Sequence, residues 1–442
     1  MKAQPRKRPA GLRSRLGYQA GYGAGFNKGF DEGFNQGWEA GGRLFEGTSI
    51  IIPTYNQQGF LQECIESIRA FTPQPYEIIV VDNGSTDGTV PYLQSVGGGN
   101  LRYRAVGHNL GFAGAVNQGL QMARGSTLLL LNNDTVVTAN WLSNLMRCLH
   151  EYPGAGIVGP VTNYISGEQL VDTSYRSVEE MQRYAAENNV SDPARWTVTA
   201  RMTGFCMLMT RDVFHRLGYF DEGFEIGNCE DDDYGLRLRM LGLKLVIARD
   251  AFIHHYGSVS MKTLQSRFQE VYEKNMMFYI SKWGEPQFVL DRILSDHTLR
   301  TIDLYPDRVA VRGPDSAAYW IEGGLRYQIE GGPADYAATR ISRPDLRSWP
   351  LTGTVSLEEL HTKLADLQHP DQQMREGTIA SAPDGRCYRL EGGTLRWIVN
   401  GHALASWNFH EYNRTEIQDK DLAGFPQGLP IIAPPVLKAD NL

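Results

Sequence analysis

Two polar clusters in this chain of 442 residues hold enough carboxylate and amide oxygen to do chemistry. The first is Asn132-Asn133-Asp134-Thr135, which follows an apolar run. A carboxylate beside amide side chains at a strand end suits a hard divalent cation bound through oxygen. Such a cation can hold a diphosphate and stabilise it as a leaving group. A turn that caps the next helix is the alternative reading. The second cluster is Glu230-Asp231-Asp232-Asp233. Four consecutive carboxylates must be solvated, paired or metal-bound, and their crowding raises the pKa of at least one, which favours a proton acceptor near neutral pH. Tyr234, Leu236, Leu238 and Leu241, with Arg237 and Arg239, continue as a helix that starts here, so capping by acids at a helix N-terminus is again the alternative. His254 and His255 add two imidazoles; in an extended segment one points into the site and the other away.

The elements that position these groups follow from the apolar pattern. Residues 48–52, 76–81, 101–106 and 127–131 are strand-sized apolar runs, and 57–71 and 113–123 have helical spacing. This alternation predicts an α/β fold with a mainly parallel sheet covered by helices on both faces. Ligands of such sheets bind beyond the carboxyl ends of the strands. Polar clusters stand at those ends: Pro53-Thr54-Tyr55-Asn56, Asp82-Asn83-Gly84-Ser85 and Asn132-Asn133-Asp134.

Taken in order, Pro53 to Asn56, Asp82 to Thr89, Asn109-Leu110-Gly111-Phe112-Ala113, Asn132 to Asp134, Thr203 to Met209, Gly218 to Glu222 and Glu230 to Arg237 form a set. That set resembles family 2 glycosyltransferases with the GT-A fold, and most of all the rhamnosyltransferase-like subgroup of bacterial surface polysaccharide synthesis. The resemblance implies an inverting transfer from a UDP- or dTDP-sugar to a hydroxyl of a glycan, lipid-linked or protein acceptor, assisted by Mn2+ or Mg2+. It implies that Pro53, Thr54, Tyr55 and Asn56 border the nucleotide. Asp82, with Asn83 beside it, would accept the N–H of a uracil or thymine. Asn109 and Gly111 would lie near the nucleotide and sugar. Asn132-Asn133-Asp134 stands where the family has Asp-X-Asp. Asn132 replaces the first carboxylate, so Asp134 is left to bind metal with modest affinity or with help from His255. Asp231 takes the place of the catalytic base, with Glu230 as the neighbouring candidate. The Gln-X-X-Arg-Trp motif of processive synthases is absent from the sequence, so transfer of one or a few sugars is expected. Residues 163–199 are expected on the acceptor side, as a lid. Two rivals remain. A dinucleotide oxidoreductase would need the G-x-G-x-x-G spacing that Gly111, Gly114 and Gly119 lack. A non-catalytic glycan-binding or assembly protein could be built on the same GT-A domain.

The flanks divide the chain into 1–47, 48–284, 285–375 and 376–442. A Gly-aromatic pair recurs every four residues from Gly17-Tyr18 to Gly37-Trp38. On a helix this spacing makes a slowly drifting stripe suited to homo-oligomer contact through 17–42; a flexible linker is the alternative. Tyr319 to Arg326 recurs as Tyr388 to Arg396, each copy around a Gly-Gly hairpin signal, which predicts two tandem small β-rich modules. Their Trp349, Trp397 and Trp407 would stack on sugars if exposed and fill a core if buried. A formal charge of −7 argues against nucleic acid as a partner of the whole chain, although the tip around Lys2, Arg6, Lys7 and Arg8 is basic. Five cysteines without metal or redox spacing fit reduced thiols. No apolar run approaches the roughly 20 residues of a membrane span, so the expected location is cytoplasmic, with at most peripheral membrane contact.

Overall fold

The computed structural model describes residues 44–257, 267–291, 299–314, 317–331, 336–368, 374–422, 424–439 and 442. The glycine-aromatic repeat at 17–42, and the homo-oligomer contact expected there, lie outside the described residues. Residues Glu46–Leu442 form one compact unit.

Eight strands make the central sheet. They are β1 (Phe45–Thr54), β2 (Tyr76–Asp82), β3 (Leu101–Ala105), β4 (Gly125–Leu131), β6 (Ala155–Val161), β7 (Trp196–Thr199), β8 (Cys206–Thr210) and β9 (Lys244–Phe252), in the order β3-β2-β1-β4-β8-β6-β9-β7. A separate ribbon pairs β5 (Thr135–Val136) with β10 (His254–His255). Strand β2 is parallel to both β1 and β3. Strand β8 instead runs antiparallel to β4 and β6, and β7 antiparallel to β9. The reversal of β8 sets Cys206 opposite Leu131, so its amino end enters the sheet beside the carboxyl end of β4.

The apolar runs are continuous because each face of the sheet is buried. Ile51, Ile79, Val81, Leu128 and Leu130 pack on one side with α3 (Gly111–Met122) and α7 (Glu230–Met240). Their neighbours Ile50, Ile52, Ile78, Val80 and Leu129 pack on the other with α1 (Gln58–Phe71) and α4 (Trp141–Glu151). Gly119 lets α3 lie close on the sheet: a Cβ there would stand 2.3 Å from Ile51 Cγ2.

Helix α8 (Arg267–Trp283) is locked to this domain by buried charge. Lys282 Nζ lies 2.6 Å from both Asp221 and Asp233, and Arg237 Nε donates to Asp233 at 2.9 Å. Trp283 Nε1 donates to Asp233 as well. Burial alone would push the Asp233 carboxyl up, but the Lys282 and Arg237 charges outweigh it and hold it below the usual range.

The C-terminal region contains a five-stranded sheet between Val309 and Val355 and a four-stranded sheet between Ile379 and Glu416. Both expected hairpins are present, with Gly323-Gly324 and Gly392-Gly393 at positive φ. That is the backbone a two-residue hairpin turn demands. Trp349, Trp397 and Trp407 are all buried, in a core that also takes in Leu236 and Met240 of α7. They serve as core, not as sugar-stacking surfaces. All five cysteines are free, and four are buried. No helix among the described residues is long and apolar enough to cross a membrane.

Candidate active site

A cavity of about 1080 Å³ opens beyond the carboxyl ends of β1, β3 and β4. One wall is the nucleotide side expected from sequence, with Pro53, Thr54, Tyr55 and Asn109. Arg104, Val106 and His108 extend it from the end of β3. These three were missed, although the strand-end rule that marked β1, β2 and β4 applies equally to β3.

Two expected nucleotide contacts are used differently. Asn83 Nδ2 donates to Asn109 Oδ1 and to the Gly111 carbonyl, both at 3.0 Å, while its Oδ1 accepts from Leu110 N. It thus builds the 109–111 turn, and it also lines the cavity. Asn56 does not line the cavity; its Oδ1 accepts from Thr86 N at 2.8 Å and ties the β1 and β2 loops together. Asp82 also lies behind the lining, with Oδ1 buried and without a hydrogen-bond partner. Gly111 has φ +76°, and a Cβ there would press on Ile226 N at 3.2 Å. The close approach lets Phe112 N donate to the Ile226 carbonyl at 2.7 Å.

At the end of β4, Asn132, Asn133 and Asp134 all line the cavity, with Asn133 Nδ2 donating to Thr54 Oγ1 at 2.9 Å. The β5–β10 ribbon sets His255 beside Asp134: Nε2 makes no hydrogen bond yet lies 3.2 Å from Asp134 Oδ1. His255 Nδ1 faces the Tyr164 carbonyl at 2.8 Å, so Nδ1 carries the hydrogen. Nε2 and the carboxylate oxygen are thus close without being aligned for a hydrogen bond to each other, an arrangement that a divalent cation bound by both groups would satisfy. The carboxylate suits Mg2+ or Mn2+ and the imidazole a first-row transition ion, and the hydrogen bond at Nδ1 is the support a metal-bound histidine usually has. The pair therefore fits a divalent cation. No group of three His, Cys, Asp or Glu converges among the described residues. His254 turns the other way, with Nδ1 2.6 Å from Tyr175 Oη.

The facing wall is the loop into α7. Ile226, Asn228 and Cys229 all have positive φ, which is unfavourable for any L-residue and most of all for β-branched Ile226. The strain is held from two sides. Phe112 N bonds Ile226, and buried Asn275 of α8 donates to the carbonyls of Glu225, Gly227 and Asn228. Sequence spacing carries no sign of the Asn275 clamp.

The four acids of α7 part company here. Asp233 faces the Lys282 network, and Asp232 pairs with Arg201 at 2.6 Å on the surface. Glu230 and Asp231 are buried and line the cavity. Asp231 Oδ2 accepts from Gly204 N at 3.0 Å and Oδ1 from Asp232 N at 2.9 Å, which fixes its orientation. Burial, then the Asp232 charge, pushes its carboxyl up to about 6. Glu230 is pushed well above the usual range, by burial first and then by Asp231, and its Oε2 has no partner. Of the 163–199 segment expected on the acceptor side, Ile165 reaches the cavity.

Residues 49–218 match the family described as Glycosyl transferase family 2. Residues 49–218 thus form a domain of glycosyltransferase family 2. The match runs from β1 to Gly218, just past the helix Arg211–Leu217 that follows β8, and the Glu230–Asp233 cluster lies beyond it. The chain is 30% identical over 229 residues to an O-antigen biosynthesis protein, RfbC, of Myxococcus xanthus, covering 48% of this chain and 18% of that protein. It is 28% identical over 235 residues to the N-acetylglucosaminyl-diphospho-decaprenol L-rhamnosyltransferase of Mycobacterium tuberculosis, covering 47% of this chain and 75% of that enzyme. Among solved structures, GalNAc-T7 with UDP, GalNAc and Mn2+ aligns with a TM-score of 0.42 at 17% identity, covering 56% of this chain and 50% of that one. The family 2 domain thus has relatives in bacterial glycan synthesis, and outside 49–218 the chain carries the C-terminal sheets described above.

Proposed function

We propose that this chain is an inverting, non-processive glycosyltransferase that moves a sugar from a UDP- or dTDP-sugar to a hydroxyl of a surface-glycan precursor, such as a lipid-linked sugar. The observation that carries the reading is the placement of Asp231. It is a buried, backbone-oriented carboxylate in the same cavity as the Asp134–His255 pair and the nucleotide-side residues at the strand ends.

In the proposed step, Asp231 takes the proton of the acceptor hydroxyl. The acceptor oxygen forms its bond to the anomeric carbon as the bond from that carbon to the diphosphate oxygen breaks, with inversion. Glu230 is pushed well above the usual carboxylate range, by burial first and then by the Asp231 charge, so a second negative charge beside the base is disfavoured. Asp134 and His255 would hold the divalent cation, which supplies charge neutralisation for the leaving diphosphate. Asn83 and Asn275 keep the two opposing loops in place. Asp82 keeps an unpartnered buried oxygen behind the lining, so it accepts the N–H of a pyrimidine base only when the loop after β2 opens. The binding site is formed by Pro53 to Tyr55, Asn109, Gly111 and Asn132 to Asp134, all of which border the cavity.

The base assignment fixes a pH dependence. With a carboxyl near 6, kcat/KM should rise about tenfold per pH unit below pH 6 and level off above it. Replacing Asp231 by Glu should shift that limb. A profile flat from pH 5 to 8 would remove Asp231 from the reaction.

A further inference from the structure

The last residues of the chain return to the catalytic domain. Val436 N donates to Asp221 Oδ1 at 3.1 Å, and the Val436 carbonyl accepts from Glu222 N at 2.8 Å. Lys438 N and Ala439 N donate to Glu222 Oε2 at 2.6 and 3.1 Å. Both carboxylates are buried and held from behind, Asp221 by Lys282 and Glu222 by the Asn117 amide at 2.9 Å. Leu437 and Leu442 are buried in the same apolar cluster as α3 and α7. The strap is thus anchored by backbone and core, whereas the Lys438 side chain is left exposed and borders the cavity together with Ala439. The wall it joins carries the carboxyl groups of Glu222, Glu225 and Asp231, while Arg104 and His108 lie on the strand-end side of the cavity. None of the ion pairs among the described residues engages the Lys438 ammonium.

We infer that residues 436–439 are a wall of the active site and that Lys438 provides a cation for a phosphate group of a substrate. Two features point to this. Asp221 and Glu222 hold the strap backbone with buried acceptor oxygens, which fixes Lys438 at the rim of the cavity. A lysine on an otherwise acidic wall offsets the repulsion that wall exerts on a phosphate. The phosphate belongs either to the nucleoside diphosphate or to a phosphate-bearing acceptor. The inference rests on the transferase reading but fails separately from it.

The test compares wild type with Lys438→Ala and Lys438→Arg. Affinities for UDP and dTDP are measured calorimetrically with Mn2+ present, and KM is measured for a donor sugar and for a polyprenyl-diphosphate sugar as acceptor. Since the side chain is exposed, folding should be unchanged, which the thermal midpoint checks. Removing the ammonium from its phosphate in Lys438→Ala should weaken one ligand by about tenfold or more, with Lys438→Arg close to wild type. Weaker UDP or dTDP binding assigns the donor diphosphate. Unchanged nucleotide binding with a raised acceptor KM assigns the acceptor phosphate. If Lys438→Ala matches wild type within about twofold in all of these constants, the inference is wrong. If wild type itself binds neither nucleotide, the transferase reading is what fails.

Discussion

Asp231→Asn is expected to lower turnover by about a thousandfold while UDP or dTDP affinity stays within about twofold, because the amide keeps the shape of the carboxylate and cannot take a proton. Single-turnover assays with titration of the nucleotide in parallel would show both effects. The wild-type group also has a stability signature of defined sign. Its folded pKa is raised from 3.8 to about 6, so the folded state favours the protonated form. That contribution is fully present below pH 3.8 and is lost as pH rises through 6. The stability of the Asn variant relative to wild type should therefore improve between pH 4 and pH 7. A variant that retains turnover, or whose relative stability falls over that range, would contradict the role of Asp231. Loss of nucleotide binding along with turnover would instead point to a collapsed loop before α7.

The largest expected effect on folding lies elsewhere. Lys282→Met should destabilise the chain by about 3–5 kcal/mol, because it leaves Asp221 and Asp233 buried with half their compensation gone. Lys282 and both carboxylates are fully buried, so solvent cannot replace the ammonium. The damage should spread to catalysis. Asp233 is two residues from Asp231 on the same helix, and Asp221 adjoins Glu222 and bonds the strap. Urea unfolding followed by far-ultraviolet circular dichroism measures the loss. A change below about 1 kcal/mol would mean that the network is not the lock between α7 and α8.

Some of this was legible in sequence, for physical reasons. Strands buried on both faces carry unbroken apolar runs, and β1, β2 and β4 stand out in that way. Polar clusters stand at the ends of such strands, and Pro53 to Tyr55 and Asn132 to Asp134 do line one cavity there. The Gly-Gly hairpins were equally plain, because only glycine tolerates two consecutive positive φ values cheaply. The acids at 230–233 announced that charge had to be compensated, but not by what. The compensating Lys282 is 49 residues from Asp233, and no spacing rule reaches that far. Asn83 shows a different limit. An amide can bind a ligand or satisfy a backbone, and its identity does not say which; here it holds the 109–111 turn. The strap from Val436 to Ala439 joins a loop 215 residues away through backbone N–H groups, which every sequence has. It had no signature to find. The direction of β8, which brings Gly204 to Asp231, was likewise invisible in an apolar run that reads the same both ways.

Donor recognition decides the central claim most directly. Thermal unfolding can be followed against UDP-, dTDP- and GDP-sugars, each with Mn2+ and with chelator, for wild type and Asp134→Ala. At a hundredfold excess over Kd, a ligand that binds only the folded chain adds about 2.7 kcal/mol of stability. A UDP- or dTDP-sugar is expected to raise the midpoint of wild type with Mn2+, with most of that rise lost in chelator and in Asp134→Ala. No rise with any nucleotide sugar, with or without metal, would contradict the assignment and leave a glycan-binding or assembly protein built on a transferase domain.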